Sequence, residues 1–274
     1  MKKAVIIGDG VSNGARSPAL WNACFQNFEI EGEMIAVDIN SNDGLVNFFT
    51  NYLKDDDFIG GAVAAPIKQE VTNYFNENYN TNFTLPTNCF YRDLNNNFVC
   101  LNTDILAAVD SIEKNINLNS IKSIAILGDG SVGSSLAEHL KSYQFNKTLY
   151  TRKLNRIKIP GYKIRNYDHL FDNFHLYDLV INSTSVGKDG SSSDSILPRS
   201  LMRDKAKEDL FVYDVNYING PNQLLKDCMD LGIKCEDGSN MNIMQAVIAF
   251  AHTLDLQDES DKILEIMKKA ASNL

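Results

Sequence analysis

The sequence predicts an α/β protein built from two domains. Short runs rich in Val and Ile alternate with helical patterns, which is typical of βαβ units on a parallel sheet. Two of these runs end in glycine-rich turns, and 274 residues are enough for two ordinary hydrophobic cores. The composition, with 44% hydrophobic and 22% charged residues, is that of a chain that folds compactly.

The first part of the chain predicts one series of strands and helices. Helices are expected to begin at Ser17 and near Leu45, between strands predicted at Ala4–Ile7, Met34–Val37 and Ile59–Val63. A hairpin should close the series, because Phe90–Arg92 and Phe98–Leu101 flank a turn rich in Asp and Asn. We therefore expect a first domain over residues 1–104.

A second series of strands follows the hairpin. It comprises Ile121–Leu127, Lys147–Tyr150, Leu179–Asn182 and Phe211–Val215, before a helical pattern at Gln223–Leu231. From Met241 onward the patterns are helical only, at Ile243–Leu254 and Ser260–Ala271. We expect a second domain over residues 105–240, with the helices of residues 241–274 packing back on the first domain.

The second series opens with a strand, a GxGxxG turn and an apolar-periodic helix, in that order. The turn runs through Gly128, Gly130, Ser131, Val132 and Gly133. Its glycines permit a tight turn and close approach to a pyrophosphate, and the helix N-terminus favours the negative charge. This context predicts a Rossmann-type, doubly wound dinucleotide-binding domain, with a purely structural turn as the alternative.

The residues after the next predicted strand bear on the choice of cofactor. Thr151, Arg152 and Lys153 stand where an NAD enzyme usually has an acidic residue that binds the ribose 2′-hydroxyl. Arg152 could instead form paired hydrogen bonds to a 2′-phosphate, with Lys153 or Arg156 adding charge. NADP is therefore favoured over NAD, and a solvated basic loop is the alternative.

The first strand also ends in glycines, namely Gly8, Gly10 and Gly14, and Asp38 closes the following strand. Taken alone, this pattern would fit NAD. However, Ser17-Pro18 predicts an N-cap followed by Pro at the first helical position, which leaves a long loop before the helix. That loop suits a substrate better than a pyrophosphate.

Two polar residues stand where helices are expected to begin. Lys68 follows a predicted buried strand and Pro66, and Asp104 follows the hairpin within Asn102-Thr103-Asp104, where an Asp could also cap the helix. A lysine beyond the carboxyl end of a strand is in the usual place for a ligand, although a lone lysine is more often a solvated charge. Their spacing in the sequence does not pair them.

Composition disfavours several other classes of function. The net charge of −9 and the pI near 5.0 argue against nucleic acid as a partner. Five scattered cysteines and four scattered histidines lack the spacing of a disulfide framework or a metal site. The N-terminal apolar run is too short for a signal or membrane segment, so we expect a cytoplasmic protein with no membrane partner.

Several ordered motifs resemble those of the shikimate dehydrogenase family. Ser12–Pro18 is similar to its serine-rich loop, Gly60–Lys68 to its lysine motif, and the Asn-Thr-Asp motif is intact at Asn102–Asp104. Further similar segments are Pro86–Cys89, Gly128–Gly133, Thr151–Lys153, Asn182–Gly187, Asp214–Tyr217 and Gly238–Ala246.

The resemblance implies reversible hydride transfer between NADPH and the ring ketone of 3-dehydroshikimate or a close analogue, in aromatic amino acid biosynthesis. It implies a catalytic pair of Lys68 and Asp104, and a small cyclic polyol or ketone as substrate, in a monomer or homodimer. The substrate contacts implied are Ser12, Arg16, Ser17, Asn88, Asn102, Tyr217 and Gln245. The NADP contacts implied are Gly128, Gly130, Ser131, Val132, Gly133, Thr151, Arg152, Lys153, Thr184 and Gly238.

The sequence departs from the family pattern where that pattern binds the substrate carboxylate. Ala15 and Ala64 replace a Ser and a Thr, Ala62 replaces an Asn, and Gly14 lengthens the loop. Ser12, Asn13 or Arg16 could supply new donors. The alternatives are a family member that acts on another cyclic ketone with an altered or absent carboxylate, and a non-catalytic nucleotide-binding protein, against which the intact Lys68 and Asp104 argue.

Overall fold

The computed structural model describes residues 1–79, 81–154, 158–187, 195–218 and 220–273. The chain divides into two compact units, of which the first is Met1–Ala107 with Asn242–Leu274 and the second is Ala108–Met241. Each unit is built on one sheet, so the predicted α/β class is confirmed. Among the described residues, no helix is both long and apolar enough to cross a membrane.

The sheet of the first unit has five strands. They are β1 (Lys2–Gly8), β2 (Gly32–Asp38), β3 (Phe58–Val63), β4 (Cys89–Arg92) and β5 (Phe98–Leu101), in the order β2-β1-β3-β4-β5. The first three run parallel, and β4 and β5 form the predicted antiparallel hairpin. Because β2 and β3 lie on opposite sides of β1, the strand order reverses between β1 and β3, and ligands of open α/β sheets bind beyond the carboxyl ends of strands at such a point.

The sheet of the second unit is entirely parallel. Its strands are β6 (Ser123–Leu127), β7 (Asn146–Tyr150), β8 (Tyr162–Arg165), β9 (Leu179–Asn182), β10 (Phe211–Asp214) and β11 (Lys234–Asp237). Their order, β11-β10-β9-β6-β7-β8, is that of a doubly wound nucleotide-binding sheet, with its switch point between β6 and β9. The predicted Rossmann-type topology is confirmed.

Helices connect the strands in both units. In the described residues they are α1 (Ser17–Asn27), α2 (Asn42–Tyr52), α3 (Lys68–Tyr79), α4 (Thr103–Asn115), α5 (Ser131–His139), α6 (Tyr167–Asn173), α7 (Arg199–Lys205), α8 (Gln223–Asp230), α9 (Ser239–Leu254) and α10 (Ser260–Ala271).

Alternate residues of β1 point to opposite faces of the first sheet. Each face is covered by an apolar cluster, one containing Ala4 and the other containing Val5 and Ile7. On one face Trp21 and Phe25 of α1 meet Phe250 of α9, and the rings of Trp21 and Phe250 lie edge to face with centroids 5.2 Å apart. Ile263 and Met267 of α10 complete this cluster. The C-terminal helices therefore pack back on the first unit, as predicted.

Gly61 in β3 shows why this strand contains glycine. A Cβ atom at Gly61, where φ is +154°, would lie 1.8 Å from the carbonyl oxygen of Val5. The absence of a side chain lets β3 lie close to β1. The carboxyl ends of these two strands are thereby held side by side.

Two predicted helix starts differ in detail from the structure. Ser17 is not the N-cap of α1, because Arg16 precedes the helix with dihedral angles that are already helical, and Pro18 therefore lies in the first turn. Asp104 does not cap α4, because the side chain of Asn102 accepts the hydrogen bond from Ile105 N at 3.2 Å. The carboxylate of Asp104 is thereby left for another partner.

Candidate active site

The centre of the first unit's site is an ion pair between Lys68 and Asp104. Lys68 begins α3 just beyond β3, and Asp104 lies in the first turn of α4 just beyond β5. These strands run in the same direction in one sheet, so both helices start at the same edge. Lys68 Nζ donates a hydrogen bond to Asp104 Oδ2 at 2.6 Å, and the two side chains remain 25% and 21% exposed. The pair is therefore formed in advance and open to a ligand.

Two asparagine side chains hold the start of α4. Thr103 N donates to Asn88 Oδ1 at 2.6 Å, and Asn88 Nδ2 donates to Thr103 Oγ1 at 2.9 Å. Asn102 Nδ2 donates to the carbonyl oxygen of Pro86 at 2.8 Å. Both asparagines are predicted substrate contacts, yet Asn88 is only 4% exposed and the amides of both are bonded to the protein. In the structure they fix the backbone that carries Asp104.

The backbone of Lys68 is held in a similar way by residues that the sequence analysis missed. Its carbonyl oxygen accepts hydrogen bonds from Thr72 Oγ1 at 3.0 Å and from Thr87 N at 3.2 Å. The hydroxyls of Thr72 and Thr87, both 1% exposed, lie 2.9 Å apart. In the sequence, the only indication of these contacts is that Thr72 follows Lys68 by four residues at a predicted helix start, the spacing at which a threonine hydroxyl can reach the earlier carbonyl oxygen.

The glycine-rich loop after β1 is tied to the end of β2. Ser12 N donates to Asp38 Oδ1 at 2.9 Å, and the Ser12 hydroxyl donates to the other carboxylate oxygen. These bonds lower the pKa of the Asp38 carboxyl. Asp38, which could have served as the ribose-binding acid of an NAD site, therefore holds the loop.

Three other predicted substrate contacts lie around the start of α1 and α9. The guanidinium of Arg16 is exposed, and its Nη1 donates to Asn242 Oδ1 at 3.3 Å. Gln245 Nε2 donates to the carbonyl oxygen of Asn242 at 3.1 Å. Ser17, partly exposed, is the first residue of α1. Arg16 and Gln245 thus both donate hydrogen bonds to Asn242 of α9.

The second unit carries the GxGxxG turn between β6 and α5. A Cβ at Gly133 would lie 2.2 Å from the carbonyl oxygen of Gly128, so α5 packs on the turn only with glycine there. Gly130, by contrast, is exposed, and an added Cβ would meet nothing within 4 Å. No side chain among the described residues caps α5, so the N–H groups at Ser131 and Val132 are available to an anion.

The end of β7 carries the predicted cationic residues. Thr151 is buried, and its Oγ1 accepts from Lys153 N at 3.1 Å, which shapes a tight turn. Arg152 and Lys153 are exposed, and within the described parts of the chain neither side chain has a hydrogen-bond or ion-pair partner. Arg156 lies outside the described residues. The turn thus offers two unpaired cations to a phosphate.

Thr184 follows β9 in a loop organised by a buried carboxylate. Asn182 Oδ1 accepts from Thr184 N at 3.1 Å, and Asn182 Nδ2 donates to Asp214 Oδ1 at 3.0 Å. Asn222 Nδ2 donates to the second oxygen of Asp214 at 2.9 Å. Burial raises the pKa of Asp214, although its amide donors oppose that shift. Asp214 and Asn222 therefore position Thr184. In the sequence, the only indication of this role is that Asp214 stands at the end of a predicted strand.

The last two predicted contacts also belong to the second unit. Tyr217 follows β10 and is 47% exposed. Gly238 follows β11 and is buried, and a Cβ there would lie 2.3 Å from the carbonyl oxygen of Val215. Gly238 is thus required by packing whether or not it contacts a cofactor. Among the described residues, no group of acidic, cysteine or histidine side chains could hold a metal ion.

Comparisons with known proteins agree with this arrangement. Residues 6–82 match the family model for the shikimate dehydrogenase substrate binding domain. The chain is 26% identical to the shikimate dehydrogenase (NADP(+)) of Caldicellulosiruptor saccharolyticus over 290 residues, which cover all of both chains. It is 28% identical to that of Prochlorococcus marinus subsp. pastoris, over 88% of this chain and 87% of the relative. Over its whole length the chain is therefore similar to proteins named shikimate dehydrogenase, and its N-terminal part matches the model of their substrate binding domain.

Solved structures of quinate and shikimate dehydrogenases share the fold of this chain. The quinate dehydrogenase from Corynebacterium glutamicum in complex with NAD matches with a TM-score of 0.79 at 21% identity, over 98% of this chain and 99% of that one. The shikimate 5-dehydrogenase from Thermus thermophilus in complex with NADP(H) and shikimate matches with a TM-score of 0.74 at 19% identity, over 98% and 100%.

The departures from the shikimate dehydrogenase pattern lie at the carboxyl end of β3 and in the loop after β1. Ala64 N donates to the carbonyl oxygen of Ile7, and Ala64 Cβ would lie 2.8 Å from a Cβ placed on Gly8. Ala62 packs against the apolar cluster of Trp21 and Phe250. Methyl groups therefore stand where the family motifs would supply hydroxyl and amide donors.

Proposed function

We propose that this chain catalyses reversible, NADP-dependent hydride transfer between a cyclic polyol and its ring ketone, with shikimate and 3-dehydroshikimate as the leading pair. The observation that carries this proposal is the Lys68–Asp104 ion pair at 2.6 Å, partly exposed at the edge of the first sheet where β3 and β5 end. The relatives named shikimate dehydrogenase (NADP(+)) support the assignment over the full length of the chain.

The second unit has the features that NADP requires. The open turn at Gly130 and the uncapped start of α5 suit the pyrophosphate, and the exposed cations of Arg152 and Lys153 suit the 2′-phosphate. Thr184 and Gly238 would line the remainder of the cofactor site. When bound, NADPH supplies the hydride.

Lys68 and Asp104 divide the remaining chemistry. Reduction of the ketone develops negative charge on the carbonyl oxygen, which the ammonium of Lys68 stabilises and then protonates. Asp104 holds that ammonium in place and can accept a hydrogen bond from a ring hydroxyl. In the oxidation direction, Lys68 takes up the hydroxyl proton instead. The pair does not depend on the substrate to assemble, because the buried bonds of Asn88 and Thr72 fix both backbones.

We assign the two halves of the reaction to the two compact units. The first would hold the substrate, as its match to the substrate binding domain model supports, and the second would hold NADP. Our domain boundaries at residues 104 and 240 remain predictions. So do the cytoplasmic location, the monomeric or homodimeric state and the exclusion of nucleic acid.

A second candidate function has its own supporting observation. Ala15 and Ala64 offer no polar side chain to a carboxylate, and the hydroxyl of Ser12, in the loop after β1, is bonded to Asp38. This arrangement favours a family member whose ring substrate carries an altered carboxylate or none. Binding without turnover is a weaker candidate, because such a protein would have no use for the Lys68–Asp104 pair.

One assay separates these candidates. NADP⁺ reduction should be followed at 340 nm with shikimate, with quinate, with shikimate methyl ester and with ring alcohols that lack the carboxylate. Turnover of shikimate supports the first candidate, and turnover only of the uncharged rings supports the second. No NADP-linked turnover of any ring alcohol would contradict both.

A further inference from the structure

The cofactor turn of the second unit contains a carboxylate oxygen without a partner. Asp129 lies between Gly128 and Gly130, and its Oδ2 is buried. Among the described residues no hydrogen-bond donor reaches this atom. Burying an unpaired carboxylate oxygen is costly, and such groups in folded proteins often mark a place where a missing partner binds.

The surroundings of Asp129 indicate which part of a ligand that partner belongs to. Tyr167 begins α6, beside the end of β7. Gly128 N donates a hydrogen bond to the carbonyl oxygen of Tyr150 at 2.8 Å, and the register of the two strands pairs Leu127 of β6 with Tyr150 of β7. Asp129 and Arg152 therefore follow neighbouring strands at the same edge of the sheet. In agreement with this, burial raises the pKa of Tyr167, the positive charge of Arg152 opposes that shift and the negative charge of Asp129 adds to it. In a Rossmann-type site that region receives the ribose of the adenosine half of the cofactor.

We propose that Asp129 accepts a hydrogen bond from a hydroxyl of the adenosine ribose and thereby sets the balance between NAD and NADP in this protein. The inference rests on the proposed function, because it requires a nicotinamide dinucleotide on the second unit. The role usually given to an acid at the end of the second strand of such a domain is moved here into the glycine-rich turn.

The chemistry of the two cofactors makes the effect of Asp129 directional. In NAD both ribose hydroxyls are free to donate to the carboxylate, and the bond is charge-assisted. In NADP the 2′-phosphate pairs with Arg152 but stands near the negative charge of Asp129, and this repulsion weakens the binding of NADP. Asp129 and Arg152 thus act in opposite directions, and the protein should accept NAD to a greater degree than Arg152 alone would allow.

The test is direct binding of NAD⁺ and NADP⁺ to the full-length protein by isothermal titration calorimetry, without substrate. Asp129→Asn keeps the shape and removes the charge. It should raise the Kd for NAD⁺ about tenfold and lower the Kd for NADP⁺, so that the ratio of the two changes by more than tenfold. Asp129→Ala should change the ratio of the two Kd values in the same direction, and it replaces Asp129→Asn in the test if that variant folds poorly.

Asp172→Asn is the matched control, because it removes one negative charge from an exposed position on α6 of the same unit. It should leave both Kd values unchanged. The melting temperature of the ligand-free Asp129→Asn protein should be equal to or above that of the wild type, since Oδ2 loses no hydrogen bond to any residue that the structure describes.

Three outcomes would overturn the inference. Equal changes in both Kd values, or none, would mean that Asp129 does not distinguish the cofactors. A strongly lowered melting temperature in both Asp129 variants would mean that the carboxylate is structural. Either of these two results would leave the proposed function in place. The third outcome, a wild-type protein that binds neither NAD⁺ nor NADP⁺, would overturn both the inference and the proposed function.

Discussion

At the scale of single residues, the ammonium of Lys68 is the group on which the proposed chemistry depends. Its Nζ lies 2.6 Å from Asp104 Oδ2, so the proton donor is already oriented before any substrate binds. Lys68→Ala should lower kcat by roughly 10²–10⁴-fold and leave the Kd for NADP⁺ unchanged, as for one positioned acid–base group. Steady-state kinetics with a separate binding titration provide the measurement.

Asp104→Asn is the matched variant at the other end of the pair. It should lower kcat as well, and part of its effect should appear in KM, because in the proposed mechanism Asp104 also accepts a hydrogen bond from a ring hydroxyl. Wild-type turnover in Lys68→Ala would remove Lys68 from the mechanism.

Arg152 carries the second prediction at this scale. Its guanidinium is exposed and unpaired within the described residues, so a 2′-phosphate would be its main partner. Arg152→Ala should weaken NADPH binding by about 1.5–3 kcal/mol and leave NADH binding nearly unchanged. Fluorescence titration of the two reduced cofactors measures this directly. Equal losses for both would show that Arg152 is a structural residue.

We propose Arg16 as the residue that binds a substrate carboxylate. Its Nη1 reaches Asn242 Oδ1 at 3.3 Å, while Ala15 and Ala64 offer methyl groups. A guanidinium can bind a carboxylate through two parallel hydrogen bonds, so Arg16→Ala should raise KM for shikimate roughly 10–100-fold and leave KM for shikimate methyl ester unchanged.

Arg16→Lys is the control for charge alone and should recover part of the loss. The opposite account, a depleted pocket, makes the opposite prediction. In that case Ala15→Ser combined with Ala64→Thr would improve activity on shikimate, and Arg16→Ala would change little.

At the scale of the elements, the site depends on how closely β3 lies against β1. Gly61→Ala would place a Cβ 1.8 Å from Val5 O, which the backbone cannot accommodate without separating the strands. It should lower the free energy of unfolding by at least about 3 kcal/mol, measured by urea denaturation. Gly10→Ala is the comparison, because φ is +64° there but nothing lies within 4 Å, so only about 1–2 kcal/mol is expected. Equal losses of stability in the two variants would show that backbone strain, and not the close contact with Val5, causes the loss in Gly61→Ala.

At the scale of the whole molecule, each ligand should protect a different unit. NADP⁺ at about 100 times its Kd stabilises the state that binds it by about 2.7 kcal/mol. In hydrogen-exchange mass spectrometry it should slow exchange at residues 128–133 and 151–153, whereas shikimate should slow exchange at residues 12–17 and 102–104. If NADP⁺ instead protected residues 8–14, the first glycine-rich turn would be the nucleotide site.

Much of the fold could be predicted because its signals are local. Alternating apolar runs, the turn at residues 93–97 and the glycine-rich turn each depend on neighbouring residues, and the structure confirms the hairpin and the Rossmann-type topology. The strands β8 and β11 were missed because they are edge strands, and both contain charged, exposed residues in place of an apolar run.

The sequence by itself determined the types of group available: a lysine and an aspartate at two helix starts, a glycine-rich turn between a strand and a helix, and cations after β7. Only the tertiary structure decided which of them meet. Lys68 and Asp104 are 36 residues apart and pair because β3 and β5 end at one edge of a sheet. Asn88 is bonded to the start of α4 because β4 and β5 are neighbours in that sheet, and in the second unit Asp129 Oδ2 has no hydrogen-bond partner among the described residues. Such contacts depend on strand order and chain reversal, and no local pattern in the sequence encodes either.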